Sequence, residues 1–111
     1  MKDQRPYLLH IRDAIGQVRH YTSGGRRRFF SDRKTQDAVV RNIEIIGQAA
    51  KNLSQELKAR YRKTPWKQIA GMRDKLIHEY FGVDWELVWD TVKKDLPRLD
   101  RDVKAILRDL V

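Results

Sequence analysis

The sequence predicts an all-α fold, an up-and-down bundle of four to five helices in a single domain spanning residues 1–111. Apolar residues recur at three- and four-residue spacing along most of the chain, and no segment alternates as a half-buried strand would. The pattern breaks at Gly24-Gly25, Ser54, Thr64-Pro65 and Gly82-Val83-Asp84, where residues that cap or end helices are found. A chain of 111 residues can bury about two-thirds of its unfolded surface, enough for a core without staples.

The first helix starts at Pro6, whose missing N–H is harmless in a first turn, and its core face is Tyr7, Leu8, Ile11, Ile15 and Val18. Gly24-Gly25 ends it. Arg26-Arg27-Arg28-Phe29-Phe30 is then expected as a loop with two readings. Its arginines grip a phosphate backbone while the phenylalanines stack on bases, or the phenylalanines plug the core beneath solvated arginines. Ser31 or Asp32 caps the second long helix, which runs to about Leu53 on a face of Val39, Val40, Ile43, Ile46, Gly47, Ala50 and Leu53. Ala38, Ile45 and Ala49 line up behind that face, and a second apolar strip is most simply covered by another copy of the chain.

Ser54 opens a short helical turn toward Tyr61, and Thr64-Pro65 opens a helix expected to run from Trp66 to Phe81. Gly82 can end it and Asp84 can cap the next. From Trp85 through Val88, Trp89, Val92, Leu96, Leu99, Val103, Ile106, Leu107 and Leu110 one stripe continues, with a kink or two abutting helices expected at Pro97.

Composition narrows the function classes. The net charge is +9, from 24 Lys and Arg against 15 Asp and Glu, and residues 1–63 hold 15 bases and 6 acids whereas residues 64–111 hold 9 of each. A polyanion would therefore be held mainly by the first part. No cysteine is present, which excludes disulfides and thiolate metal sites, and no apolar run reaches the roughly 18 residues of a membrane span. The charged start lacks a signal peptide's apolar core, so a cytoplasmic protein is expected. His10, His20 and His78 are scattered without metal-ligand spacing, and Gly24-Gly25 lacks the lysine of a phosphate-binding loop. No metal or cofactor is expected.

The chemistry concentrates in Arg73-Asp74-Lys75-Leu76-Ile77-His78-Glu79-Tyr80. On a continuous helix Arg73 falls at the centre of the stripe made by Trp66, Ile69, Ala70, Leu76, Ile77, Tyr80 and Phe81. A charge there costs several kcal/mol unless it is paired or opens into an anion-binding cleft. His78 would lie about 140° around and ~7.5 Å along from Arg73, off its face, with Asp74 one turn before His78 to orient the imidazole. Two such helices across a two-fold axis would bring paired arginines and histidines to one cleft, the base, acid and cation that phosphodiester cleavage requires. Alternatively Arg73 makes a structural ion pair, for instance with Glu44, and His78 borders the core.

Pro65 to Asp84, with Arg73, the polar Asp74, His78 and Tyr80 in their spacing, resembles the signature of HepT-like proteins of the HEPN superfamily, the toxins of HepT/MntA-type toxin-antitoxin systems. Arg41-Asn42-Ile43-Glu44-Ile45-Ile46-Gly47-Gln48-Ala49-Ala50 resembles the same family's second-helix segment, with Gln48 where a glutamate is expected and Asp74 where asparagine is frequent. The resemblance implies a two-fold HEPN-like dimer acting as a metal-independent endoribonuclease toxin of a type VII-like system. Arg73 and His78 would be the catalytic pair, with Asp74 assisting. It further implies an MntA-like nucleotidyltransferase antitoxin that attaches AMP to Tyr80. The alternative is a non-catalytic nucleotide- or substrate-binding subunit of a minimal nucleotidyltransferase, or a structural dimer with no site.

Overall fold

The computed structural model describes residues 3–78 and 82–110, which are predominantly helical. α1 (Arg5–Tyr21) carries its proline in the first turn and buries Leu8, Ile11, Ala14, Ile15 and Val18 on one face. Thr22 ends it before the glycine pair, sending both its amide and its hydroxyl to the Val18 carbonyl. The expected loop at Arg26 is a further short helix, α2 (Arg26–Ser31), entered through Gly25 at φ +89°, a conformation that suits glycine. Phe29 is fully buried against Trp85 and Trp89. Arg26 pairs with Glu86 and lies over Phe30, and Arg28 pairs with Asp32. The core-plug reading of this segment is the one the packing supports.

Asp32, not Ser31, caps α3 (Arg33–Asn52), accepting from the amides of Lys34 and Thr35 and from the Thr35 hydroxyl. That hydroxyl, and then the Thr35 amide, hold the Asp32 carboxyl below its ordinary pKa. α1 and α3 pack antiparallel, and the Ser54 amide after the end of α3 donates to Gln4 Oε1 at the start of α1, 2.7 Å away. Ser54 also caps α4 (Gln55–Arg60) through the Leu57 amide.

The helix expected from Trp66 to Phe81 is not continuous. α5 (Trp66–Ala70) stops at Gly71, α6 (Met72–Leu76) follows, and the chain then extends into β1 (Ile77–His78), paired antiparallel with β2 (Gly82–Val83). Glycine is the weakest helix former after proline, and the break at Gly71 resets the helical phase. Met72 and Leu76, one turn apart, take the core positions of α6, which turns Arg73 outward. The Asp84 amide to Leu76 O and Gly82 at φ +78° close the hairpin ladder. Glu79, Tyr80 and Phe81, including the tyrosine named for modification, lie outside the described residues.

α7 (Trp85–Asp90), capped by Asp84, continues through a π-helical turn at Thr91–Asp95 into α8 (Leu96–Asp109). Pro97 has no N–H for the Lys93 carbonyl and its ring would crowd that oxygen, so the turn before it widens and the stripe continues unbroken. The core joins Leu8 and Ile11, Phe29, Ile43 and Ile46, Leu76, Val88, Leu96 and Val103. Asp100 is buried beside α1, held by Lys104 at 2.8 Å and Arg19 at 3.4 Å. Among the described residues no helix is long and apolar enough to cross a membrane.

Candidate active site

Arg73 is placed by two neighbours of its own segment and one from across the fold. The Met72 and Leu76 anchors turn its side chain toward α3, where its Nε donates to Glu44 Oε2 at 3.0 Å. Asp74 Oδ1 lies 3.6 Å from Arg73 Nη1. The arginine is therefore not buried in the stripe: 51% of its side chain is exposed, and Glu44 holds one edge of the guanidinium while its two Nη groups carry no hydrogen bond among the described residues. The ion pair with Glu44 is present as anticipated, but it sits in an open groove, where such a pair contributes at most ~1 kcal/mol to stability.

That groove, about 540 Å³, runs over the outer face of α3 between α1 and α5–α6. Ile45 and Ala49 belong to it, with Arg73 and Asp74 on one wall and Tyr7 and His10 on the other. Of the second apolar strip, Ala49 is already buried within its own chain, whereas Ala38 and Ile45 stay partly exposed. Gly47 permits the close approach of α3 to α5: a Cβ there would stand 3.3 Å from the Ala70 carbonyl oxygen.

His78 is exposed, on β1 opposite Gly82, and is not part of the groove lining. Because α6 ends at Leu76, Asp74 and His78 do not share a helix face, and no hydrogen bond joins them. Asp74 faces Arg73 instead. Within one chain the fold thus separates the three named residues into an arginine and aspartate at the groove and a histidine on the adjoining hairpin. His10 and Arg41 also line the groove, although the sequence offered His10 only as a scattered histidine and Arg41 only as the first residue of the second-helix segment. Among the described residues no group of three or more His, Cys, Asp or Glu side chains is placed to hold a metal ion.

A family model described as "Ribonuclease HepT-like" matches residues 11–106. A protein of Caldanaerobacter subterraneus subsp. tengcongensis that carries a provisional RNase name is 47% identical over 109 residues, covering 97% of both chains. "Probable ribonuclease HepT" of Thermococcus cleftensis is 44% identical over 99 residues, covering 88% of this chain and 90% of that protein. A Methanocaldococcus jannaschii protein, named as a gamma-glutamylcyclotransferase joined to a provisional RNase, is 46% identical over 110 residues; these are 98% of this chain and 50% of that longer protein. No solved structure matches the chain.

Proposed function

Because the chain belongs to the HepT-like ribonuclease family, we propose that it cleaves RNA without a metal, as a single-domain protomer of a two-fold dimer, with Arg73 and His78 as catalytic residues and Asp74 assisting. The observation that carries this is the half-exposed Arg73 guanidinium in the groove lining, held at Nε by Glu44, with Nη1 3.6 Å from Asp74 and neither Nη group hydrogen-bonded among the described residues. A carboxylate that fixes the Nε of an arginine leaves its Nη groups to meet a phosphate, which here would share Nη1 with Asp74. One chain does not bring His78 to this groove, and a second copy laid on the part-exposed Ile45 would supply the missing proximity.

In the reaction, His78 of one protomer takes the ribose 2′-hydroxyl proton as the 2′ oxygen attacks phosphorus. The second copy's His78 gives a proton to the departing 5′ oxygen, and Arg73 stabilises the charge on the phosphorane. The products are a 2′,3′-cyclic phosphate and a 5′-hydroxyl. Asp74, beside Arg73 and apart from His78, assists by holding the guanidinium and not by orienting the imidazole.

The physiological reading is a toxin silenced by a partner nucleotidyltransferase that transfers AMP to the Tyr80 hydroxyl, with pyrophosphate leaving from ATP. Cleavage of single-stranded RNA by the purified chain in chelator tests the enzyme. His78→Ala and Arg73→Ala should each abolish it with helical content retained, and cleavage surviving in either variant, or requiring magnesium, overturns the mechanism. The separation of Arg73 and His78 in one chain favours the alternative, a binding subunit for the nucleotidyltransferase. That reading predicts nucleotide binding without cleavage at any protein concentration.

A further inference from the structure

A second cavity lies on the opposite side of α6 from the Arg73 groove. It is a slot of about 400 Å³ between α5–α6 and the π-helical turn with the start of α8, a size typical of sites for small molecules and single nucleotides. Its floor is apolar, from Ile69, Met72, Leu76 and Leu99. Lys75 and Arg98 stand at its rim, exposed and without an ion pair among the described residues, together with Gln68 and Asp95.

An independent feature leads into the slot. Residues 57–73 hold six bases, Lys58, Arg60, Arg62, Lys63, Lys67 and Arg73, and no acid. Arg62, Lys63 and Lys67 are exposed and unpaired among the described residues, yet the turn and the start of α5 that present them are held by hydrogen bonds. The Thr64 hydroxyl donates to Asp102 at 2.9 Å, the Trp66 indole to the Tyr61 carbonyl at 3.1 Å, and the Thr64 amide to the same carbonyl. Thr64, Pro65 and Gln68 of this stretch line the slot itself. Like charges held together on an ordered backbone repel one another, and a polyanion relieves that repulsion.

We propose that the slot is a subsite for one unstacked base of a single-stranded RNA, whose phosphates run over Lys75 and Arg98 at its rim and the neighbouring Arg62, Lys63 and Lys67 toward Arg73. The proposal rests on the ribonuclease reading and adds where the strand flanking the scissile bond is held. Single strands are recognised by this pairing of a positive track with apolar seats for splayed bases. Asp95 and Gln68 at the rim can accept from an exocyclic amino group, as carboxylates do from cytosine. α6 is then a partition one helix thick, with Met72 and Leu76 facing the seated base and Arg73 facing the reacting phosphate.

The test uses the full chain carrying His78→Ala, so that the strand stays intact, and a short single-stranded RNA into which one abasic position is walked. The parent should show one position where the abasic replacement weakens binding. Gln68→Trp, which fills the mouth of the slot from an exposed position, should erase that positional effect. Lys75→Gln with Arg98→Gln should weaken binding at least tenfold and flatten its salt dependence by about 0.7 in log–log slope for each phosphate that is no longer neutralised. Affinities equal to the parent, or no sensitive position in the parent, overturn the subsite. If the wild-type chain still cleaves RNA in that case, the ribonuclease reading stands; if it neither binds nor cleaves, both fall.

Discussion

Arg73 Nε donates to Glu44 Oε2 across 3.0 Å, and this bond joins the five-residue helix α6 to the middle of α3. The pair is partly solvated, with 51% and 33% of the two side chains exposed, so its thermodynamic weight is small while its geometric consequence is large. It holds Nε of a groove-lining arginine whose Nη1 lies 3.6 Å from Asp74.

Glu44→Gln should therefore alter stability by less than ~1 kcal/mol and yet lower kcat for RNA cleavage by roughly tenfold or more, because a misdirected guanidinium no longer meets the phosphorane. Denaturation midpoints and single-turnover cleavage rates measured side by side check this. An unchanged rate would mean that Glu44 does not position Arg73.

Ile45→Glu addresses assembly. If a second copy covers the groove, the new carboxylate is buried there at a cost of several kcal/mol, and the dimer should dissociate at micromolar concentration with loss of cleavage. Sedimentation of wild type and variant reads the outcome directly. A wild-type chain that is monomeric and fully active would refute the shared site.

Gly47→Val concerns the seat of the site. The added carbons must enter a gap where even a Cβ would lie 3.3 Å from the Ala70 carbonyl oxygen, so α5 is pushed away from α3. Overpacking of this kind costs ~1–3 kcal/mol, and displacement of α5–α6 should reduce cleavage further than stability alone explains. Chemical denaturation together with activity at a temperature where the variant remains folded distinguishes the two effects.

Asp32 supplies the pH dependence. Its carboxyl titrates lower in the folded chain than in the unfolded one, through the Thr35 hydroxyl and amide, so the charged cap stabilises the fold above the unfolded pKa. That contribution is lost as the pH falls through the folded pKa. Asp32→Ala should melt below wild type at neutral pH, and the gap should close in acid below the ordinary aspartate range. Parallel melting curves at each pH test it, and a gap that persisted unchanged in acid would assign the stabilisation to something other than the ionised cap.

The long helices α1, α3 and α8 were legible because their signals are local. Proline at the start of α1, the Asp32 and Ser54 caps, and apolar spacing along α1, α3 and α8 each depend on neighbours a few residues away. The family signature was legible for the same reason, as spacing along one segment. The phase of that segment was not. A single period laid over residues 66–81 put Arg73 in the core, whereas the break at Gly71 gave that place to Met72 and Leu76 and sent His78 onto a strand. Whether a glycine interrupts a helix is decided by what packs on either side of it, here α3 through Gly47 and the hairpin closed by Asp84. The sequence by itself determined the long helices α1, α3 and α8 and named Arg73, Asp74 and His78 as candidates, while it read α2 as a loop and missed the hairpin after Leu76. Only the tertiary structure decided which of those residues face the same water, since that depends on contacts between segments far apart in the chain, such as Glu44 with Arg73 and Thr64 with Asp102.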